Sequence, residues 1–411
     1  MIVVFSVRPP KLDGKGDQII WGSRLSGWKS AADSIVFVCR ASPYFGLRST
    51  LFQDPVDEKL YYFRISFLRW FWRFIVAMSC GFSLQRAIYF FPISKVQSLR
   101  PSLFARCDKL VFNTIRSVDF HDSIDSLNAN HSFDVLIELI DALSKNFASM
   151  VNRATVLDLA CRFESARLFC DEISASAKYK SVLVSADDKK YLLSRCISSM
   201  MSRSLRSSVD SNIRVIPNGV YLPDEAYDYS VWNNRDSDIF IGFIGNLDYH
   251  PNTQAILALL LHILPILPSY FRVRIAGPIS SRLKSSLLSK MQPELRQRVE
   301  FLGFVSCKFQ FFNECHFSVM PFVSGSGLQN KVLEVLGFGL PTLLSDYLMP
   351  TLPGFPPLFH SDASQPSVFA SELIFMSRLS VCDLQRMTLP VSDHVRINYN
   401  WNNNLKQFFD I

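Results

Sequence analysis

Along the chain, short apolar runs rich in β-branched residues alternate with longer stretches at helical spacing, the pattern of strands and helices in a parallel α/β sheet. In the first half the runs are residues 2–7, 34–39, 109–113, 134–137, 155–159 and 181–185, with a further short strand expected within 81–92. A Ser- and Arg-rich stretch, 194–212, reads as a linker or as a helix with a polar face. After Val215-Ile-Pro-Asn-Gly219 the pattern restarts, with runs at 239–246, 271–277, 299–305, 317–320 and 342–344. The expected organisation is a first α/β domain over 1–205, a linker over 206–220, a second α/β domain over 221–390, and a tail over 391–411 whose last helix returns to the first domain. Each domain is expected to be a Rossmann-like, doubly wound parallel sheet, and two in tandem face a cleft where ligands usually sit.

The chemistry concentrates in residues 322–345, which read as loop, helix, turn and strand. Ser324-Gly-Ser-Gly327 leads into the helix, and Gly337 to Gly339 with Pro341 end it. Glycines let backbone N–H groups approach an anion, and a helix N-terminus adds partial positive charge. Lys331 and Glu334, three residues apart, share one helical face. A cation beside a pyrophosphate and a carboxylate accepting from two sugar hydroxyls suit a nucleotide-sugar. The bland alternative is a helix start with a surface Lys/Glu pair.

Composition narrows the picture. With 411 residues, 48% hydrophobic and 19% charged, the chain is folded and long enough for two domains. Charge is uneven: residues 1–205 carry 27 Lys/Arg against 19 Asp/Glu, and the remainder 16 against 17. A basic first half fits an acidic partner such as an anionic membrane surface or a phosphorylated acceptor. No dense basic run or ribonucleoprotein-type motif supports nucleic acid. Nine scattered cysteines without a Cys-x-x-Cys read as buried thiols of a reducing compartment, and the start of the chain reads as a strand, not a signal peptide. Gly14 and Gly16 follow the first strand, but Ile19 stands where a dinucleotide fingerprint needs its third glycine.

Residues 61–78 are the most membrane-like. Arg64, Arg69 and Arg73 interrupt them, so they do not approach the roughly 20 apolar residues that span a bilayer. Aromatic residues interleaved with arginines suit a helix lying among lipid headgroups, or a packed helix with snorkelling arginines.

Several stretches of the second half resemble the retaining glycosyltransferases of glycosyltransferase family 4, with the GT-B fold. These are Val215 to Gly219, Phe243-Ile-Gly-Asn-Leu-Asp-Tyr-His-Pro-Asn252, Ile275-Ala-Gly277, Val299-Glu-Phe-Leu-Gly-Phe-Val305 and Gly325-Ser-Gly-Leu-Gln-Asn-Lys-Val-Leu-Glu334, in the family's order. The resemblance extends weakly to residues 2–18, 81–85 and 399–401, and hardly touches 40–130.

The resemblance implies that Glu334 binds the nucleotide's ribose, that N–H groups around Gly325, Ser326, Gly327 and Leu328 hold the diphosphate, and that Lys331 neutralises it. It also implies that Gly245 and Asn246 form part of the phosphate loop, that the backbone near Phe304 meets the base, and that Gly16 lies across the cleft. Two departures are visible: Ser326 stands where family members often carry a second glutamate, and Asn246 to His250 replaces a frequent basic pair. Lys331 is therefore expected to supply most of the positive charge, with no metal and no cofactor required. Asp236-Ser-Asp238 precedes a strand and reads as a solvated turn, not a metal site. For a group from the first domain the candidates are Asp141, which follows a strand, His121 and His131.

The expected function is transfer of a sugar from a nucleotide-diphosphate sugar to a glycan or lipid-linked acceptor, in surface polysaccharide or lipopolysaccharide assembly. The site of action would be cytoplasmic, peripheral on the inner face of the membrane. The alternatives are a non-catalytic scaffold or nucleotide-sugar-binding subunit and, further off, a nucleotide-sugar epimerase.

Overall fold

The computed structural model describes residues 1–11, 16–27, 34–118, 133–151, 156–234, 238–324, 328–401, 404, 407 and 408. The chain forms two compact units, Met1–Asn218 with Asn404–Ile411, and Gly219–Asn403.

Among the described residues the first unit has eight strands: β1 (Ile2–Ser6), β2 (Ile35–Gly46), β3 (Thr50–Gln53), β4 (Leu60–Ser66), β5 (Lys109–Asn113), β6 (Asp134–Ile140), β7 (Lys180–Leu183) and β8 (Ile213–Val215). Their order is β3-β4-β2-β1-β5-β6-β7-β8, parallel except for the β3/β4 pair. Successive strand residues face opposite sides. Accordingly Val3 and Phe5 pack with Phe63 and Phe112 on one face, while Val4 packs with Trp21, Phe37 and Val111 on the other. Glu138 of β6 is fully buried; Arg24 pairs with it at 2.5 Å and the Trp21 indole donates to it at 2.7 Å. The Arg24 guanidinium lies 3.9 Å over the ring of Phe408, which fixes that tail residue to the first unit.

Several sequence expectations are corrected here. Residues 81–92 hold a helix, Leu84–Tyr89, and no strand. Its N-terminus is capped three times: the Ser83 hydroxyl accepts from Arg86 N, and the carboxylates of Asp171 and Glu164 accept from the N–H groups of Ser83, Leu84 and Gln85. The run 155–159 is the start of the helix Val156–Lys178 that brings those two carboxylates. Of the two readings of residues 194–212, linker or helix with a polar face, the structure shows helix: Ala186–Ser198 and Arg203–Asn212, followed by β8, all within the first unit. The helix Val381–Asn398 belongs to the second unit, while Asn404 and Phe408 of the tail group with the first. None of the nine cysteines forms a disulfide, but only Cys39, Cys196 and Cys315 are buried, and four are exposed.

The second unit is a six-stranded parallel sheet: β9 (Ile239–Ile244), β10 (Phe271–Ala276), β11 (Val299–Gly303), β12 (Phe317–Met320), β13 (Thr342–Ser345) and β14 (His360–Ser361). The order is β11-β10-β9-β12-β13-β14. The chain therefore builds outward from β9 through β10 to β11, then crosses to the other side of β9 for β12. Such a reversal leaves a crevice at the carboxyl ends of the two strands that flank it, the usual ligand position in open α/β sheets. Among the described residues no helix is long and apolar enough to cross a membrane.

Candidate functional site

At the carboxyl end of β9, Gly245 and Asn246 lead toward the helix His250–Leu257. Gly245 N donates to Ala276 O at 3.0 Å, and Gly277 N donates to Gly303 O at 2.6 Å. The ends of β9, β10 and β11 are thereby laced together. The lacing depends on missing side chains: Gly277 has φ +123°, and a Cβ placed on it would sit 2.0 Å from Gly245 O.

Across the reversal, β12 ends at Met320 and the chain runs through Phe322 to the helix Asn330–Phe338. That helix presents Lys331 to the β9 end. Its ammonium sits 4.3 Å over the Phe322 ring and 5.6 Å over Phe243, and it donates to Asn252 Oδ1. Asn252, almost fully buried, donates in turn to Asn246 O at 2.7 Å. A Cβ on Gly245 would lie 2.9 Å from Asn252 Nδ2 and 3.4 Å from Lys331 Nζ. Gly245, Asn246 and Lys331 thus meet at the topological switch point, around Asn252. The Asn252 amide holds both the loop and the lysine, yet in the sequence it stood out only as the last residue of the family-like stretch 243–252, with no role assigned to it.

Burial among the rings pulls the Lys331 ammonium down to about 7, an effect Glu334 partly offsets. A desolvated amine without a full counter-charge gains most when an anion arrives beside it.

Glu334, one turn further on, is paired with Lys308 Nζ at 2.6 Å. Lys308 opens the helix Lys308–Asn313 after β11, and sequence spacing could not show this pairing. Phe304, between β11 and that helix, is 84% exposed, a free ring face near the β11 end. Leu328 is buried. Gly325, Ser326 and Gly327 lie outside the described residues, as do His121, His131 and Asp236. Asp238, just before β9, is engaged by Arg272 of the neighbouring strand β10.

In the first unit, Gly16 is the first residue of the helix Gly16–Gly27. Asp141 follows Ile140, a β-branched residue held at φ +65°, at the end of β6. Positive φ is unfavourable for such a side chain, and strain of this kind collects at functional sites. Around it lies an acidic group: Lys145 Nζ donates to Asp188 Oδ1 at 2.8 Å and to Asp187, and Glu172 accepts from Ser144 N and Oγ at 3.2 and 2.6 Å. Burial, then the Asp188 charge, pushes the Asp141 carboxyl well above the usual carboxylate range, and burial pushes Glu172 up to about 8. A carboxyl so shifted holds its proton near neutral pH and serves as a hydrogen-bond donor before it serves as a base.

Residues 238–357 match the family described as glycosyl transferases group 1. No curated protein sequence matches the chain. Among solved structures, HepE of Anabaena in complex with UDP and glucose is 10% identical, with a TM-score of 0.63 over 100% of this chain and 98% of that one. Sucrose-phosphate synthase of Thermosynechococcus elongatus is 14% identical, with a TM-score of 0.63 over 100% and 97%. An E. coli trehalose-6-phosphate structure bound with UDP-2-fluoro glucose is 12% identical, with a TM-score of 0.63 over 100% and 98%.

Proposed function

We propose that this chain, a glycosyltransferase with the GT-B fold, moves a sugar from a nucleotide-diphosphate donor to a glycan or lipid-linked acceptor with retention of anomeric configuration. The observation that carries this reading is Lys331, a desolvated ammonium beside the side-chain-free Gly245 at the reversal between β9 and β12.

The leaving group is a nucleoside diphosphate, so the charge that develops on it must be met. Lys331 meets it in a low-dielectric position where one charge counts for more than in water. The backbone amides of 325–328 are assigned to the diphosphate oxygens. Glu334 is assigned to the ribose hydroxyls. A carboxylate offers about four acceptor positions, of which Lys308 uses part. The backbone near Phe304 is assigned to the base, and Gly16 keeps its assignment to the donor side. Asp141, carrying a proton near neutral pH, is assigned as a hydrogen-bond donor in the first unit. The basic first half supports an acceptor assembled at the inner membrane face, in surface polysaccharide or lipopolysaccharide synthesis.

The test is turnover. UDP-sugars come first, because the similar Anabaena and E. coli structures hold UDP or a UDP-sugar. With donor and a panel of glycan and lipid-linked acceptors, the expected result is nucleotide release that depends on acceptor, with a product of retained configuration by NMR. Donor binding without release over the whole panel favours a non-catalytic binding subunit, and conversion of donor alone favours an epimerase.

A further inference from the structure

The helix Phe67–Ser79 has one fully buried residue, Ala77. Its large apolar side chains stand in solvent: Phe67 50%, Leu68 78%, Phe71 47%, Trp72 68% and Ile75 40% exposed. At 100° per residue these five fall within about 140° of arc, one continuous stripe along the helix. A helix packed into a domain turns such a stripe inward. Here Trp70, on the other side, makes the packing contacts, with its ring 4.5 Å from Phe45. The stripe is extended by Leu47, which is 98% exposed and follows Gly46, the partner of Ser66 at the helix start.

Charge settles what covers this face. The helix carries no acidic residue; Arg69 stands about 60° beyond the stripe's edge, while Arg73 lies on the far side, over the buried Phe90 ring. Arg48 stands beside Leu47, and Arg167 reaches Met78 at the other end. The nearest acidic run in sequence, Asp54, Asp57 and Glu58, lies in the β3–β4 turn at the opposite end of β4, about 20 Å away at a strand rise of about 3.3 Å per residue. An apolar stripe with tryptophan, with Arg69 and Arg48 beside it and no acid on its own helix, is the chemistry of a helix lying in the interface of an anionic bilayer.

We propose that this face docks on an anionic lipid surface, with Leu47, Phe67, Leu68, Phe71, Trp72 and Ile75 in the acyl boundary and Arg48 and Arg69 at the headgroups. This rests on the reading of an acceptor assembled at a membrane, and names the surface that reaches it. Single large side chains already exposed contribute little to folding, so substitutions here leave the fold intact.

The experiment is flotation with vesicles of phosphatidylcholine alone or with phosphatidylglycerol, using wild type, Leu68→Glu/Trp72→Glu and Arg69→Glu. Wild type is expected to float with the anionic vesicles and less so at high salt. The double variant should lose about tenfold or more of this binding, and Arg69→Glu should lose its lipid-charge dependence. Wild type that does not float overturns the proposal, as does a double variant that floats like wild type. A wild-type dimer that the double variant dissociates, seen by light scattering, assigns the face to a second copy and also overturns it. UDP and GDP binding by the same preparations separates the two readings. Vesicle binding without nucleotide binding sinks the transferase assignment alone, and the converse sinks only this one.

Discussion

Lys331→Met is expected to lower turnover about 10²- to 10³-fold, the loss seen when one charge-stabilising donor is removed from a preorganised site. The protein should stay folded, because removing a poorly compensated buried ammonium is often neutral or stabilising. Burial holds Lys331 down to about 7, from an ordinary 10.5. A diphosphate beside it favours the charged form, so binding at pH 8 should take up a proton, and affinity should fall as pH rises above about 7. Calorimetry in buffers of different ionisation enthalpy reads this uptake directly, and Lys331→Met should abolish it. For folding the sign is opposite. Between about 7 and 10.5 the unfolded chain binds more protons than the folded one, so this residue makes the free protein more stable as pH rises through that window. Unchanged turnover in Lys331→Met would remove the lysine from the mechanism.

Gly277→Ala is expected to destabilise the second unit by about 3 kcal/mol or more and to abolish nucleotide binding. The added Cβ would meet Gly245 O at 2.0 Å, and neither atom belongs to a side chain that can swing away. The β9 and β10 ends would have to part, carrying Gly245 away from Asn252 and Lys331. Gly354→Ala is the control. Its glycine also has positive φ, +76°, but no atom lies within 4 Å of the added Cβ, so only backbone strain of about 1 kcal/mol applies. Denaturant unfolding of both variants separates the clash from the strain; equal losses would mean that the lacing of the strand ends is unimportant.

What could be read from sequence was local or periodic. The alternation of β-branched runs and helical stretches marks β1, β2, β5 to β7 and β9 to β13 but misses β3, β4, β8 and β14, with residues 61–66 read as helix; the spacing of Lys331 and Glu334 places them on one helix. The pairings across the sheet could not be read. Lys331 meets Asn252, and Glu334 meets Lys308, because the strand order reverses at β9, and no local pattern encodes that reversal. The helix Leu84–Tyr89 was missed for a similar reason: two of its capping carboxylates, Glu164 and Asp171, arrive from a distant helix. The Ser/Arg-rich 194–212 could be read as linker or as polar-faced helix because its helices bury few residues. In Phe67–Ser79 the pattern of aromatic and basic residues was legible, but which face they turn to solvent was not.

The central claim is a nucleotide-diphosphate site at the carboxyl ends of β9 to β13, with Glu334 on the ribose. The most direct test is calorimetric titration of UDP and GDP into wild type and Glu334→Ala. Losing a charged hydrogen-bond partner costs about 1.5 to 3 kcal/mol, a tenfold or greater weakening. Wild type is expected to bind one of the two nucleotides, and the variant to lose at least this much. Failure of both nucleotides to bind wild type, or equal binding by Glu334→Ala, would contradict it.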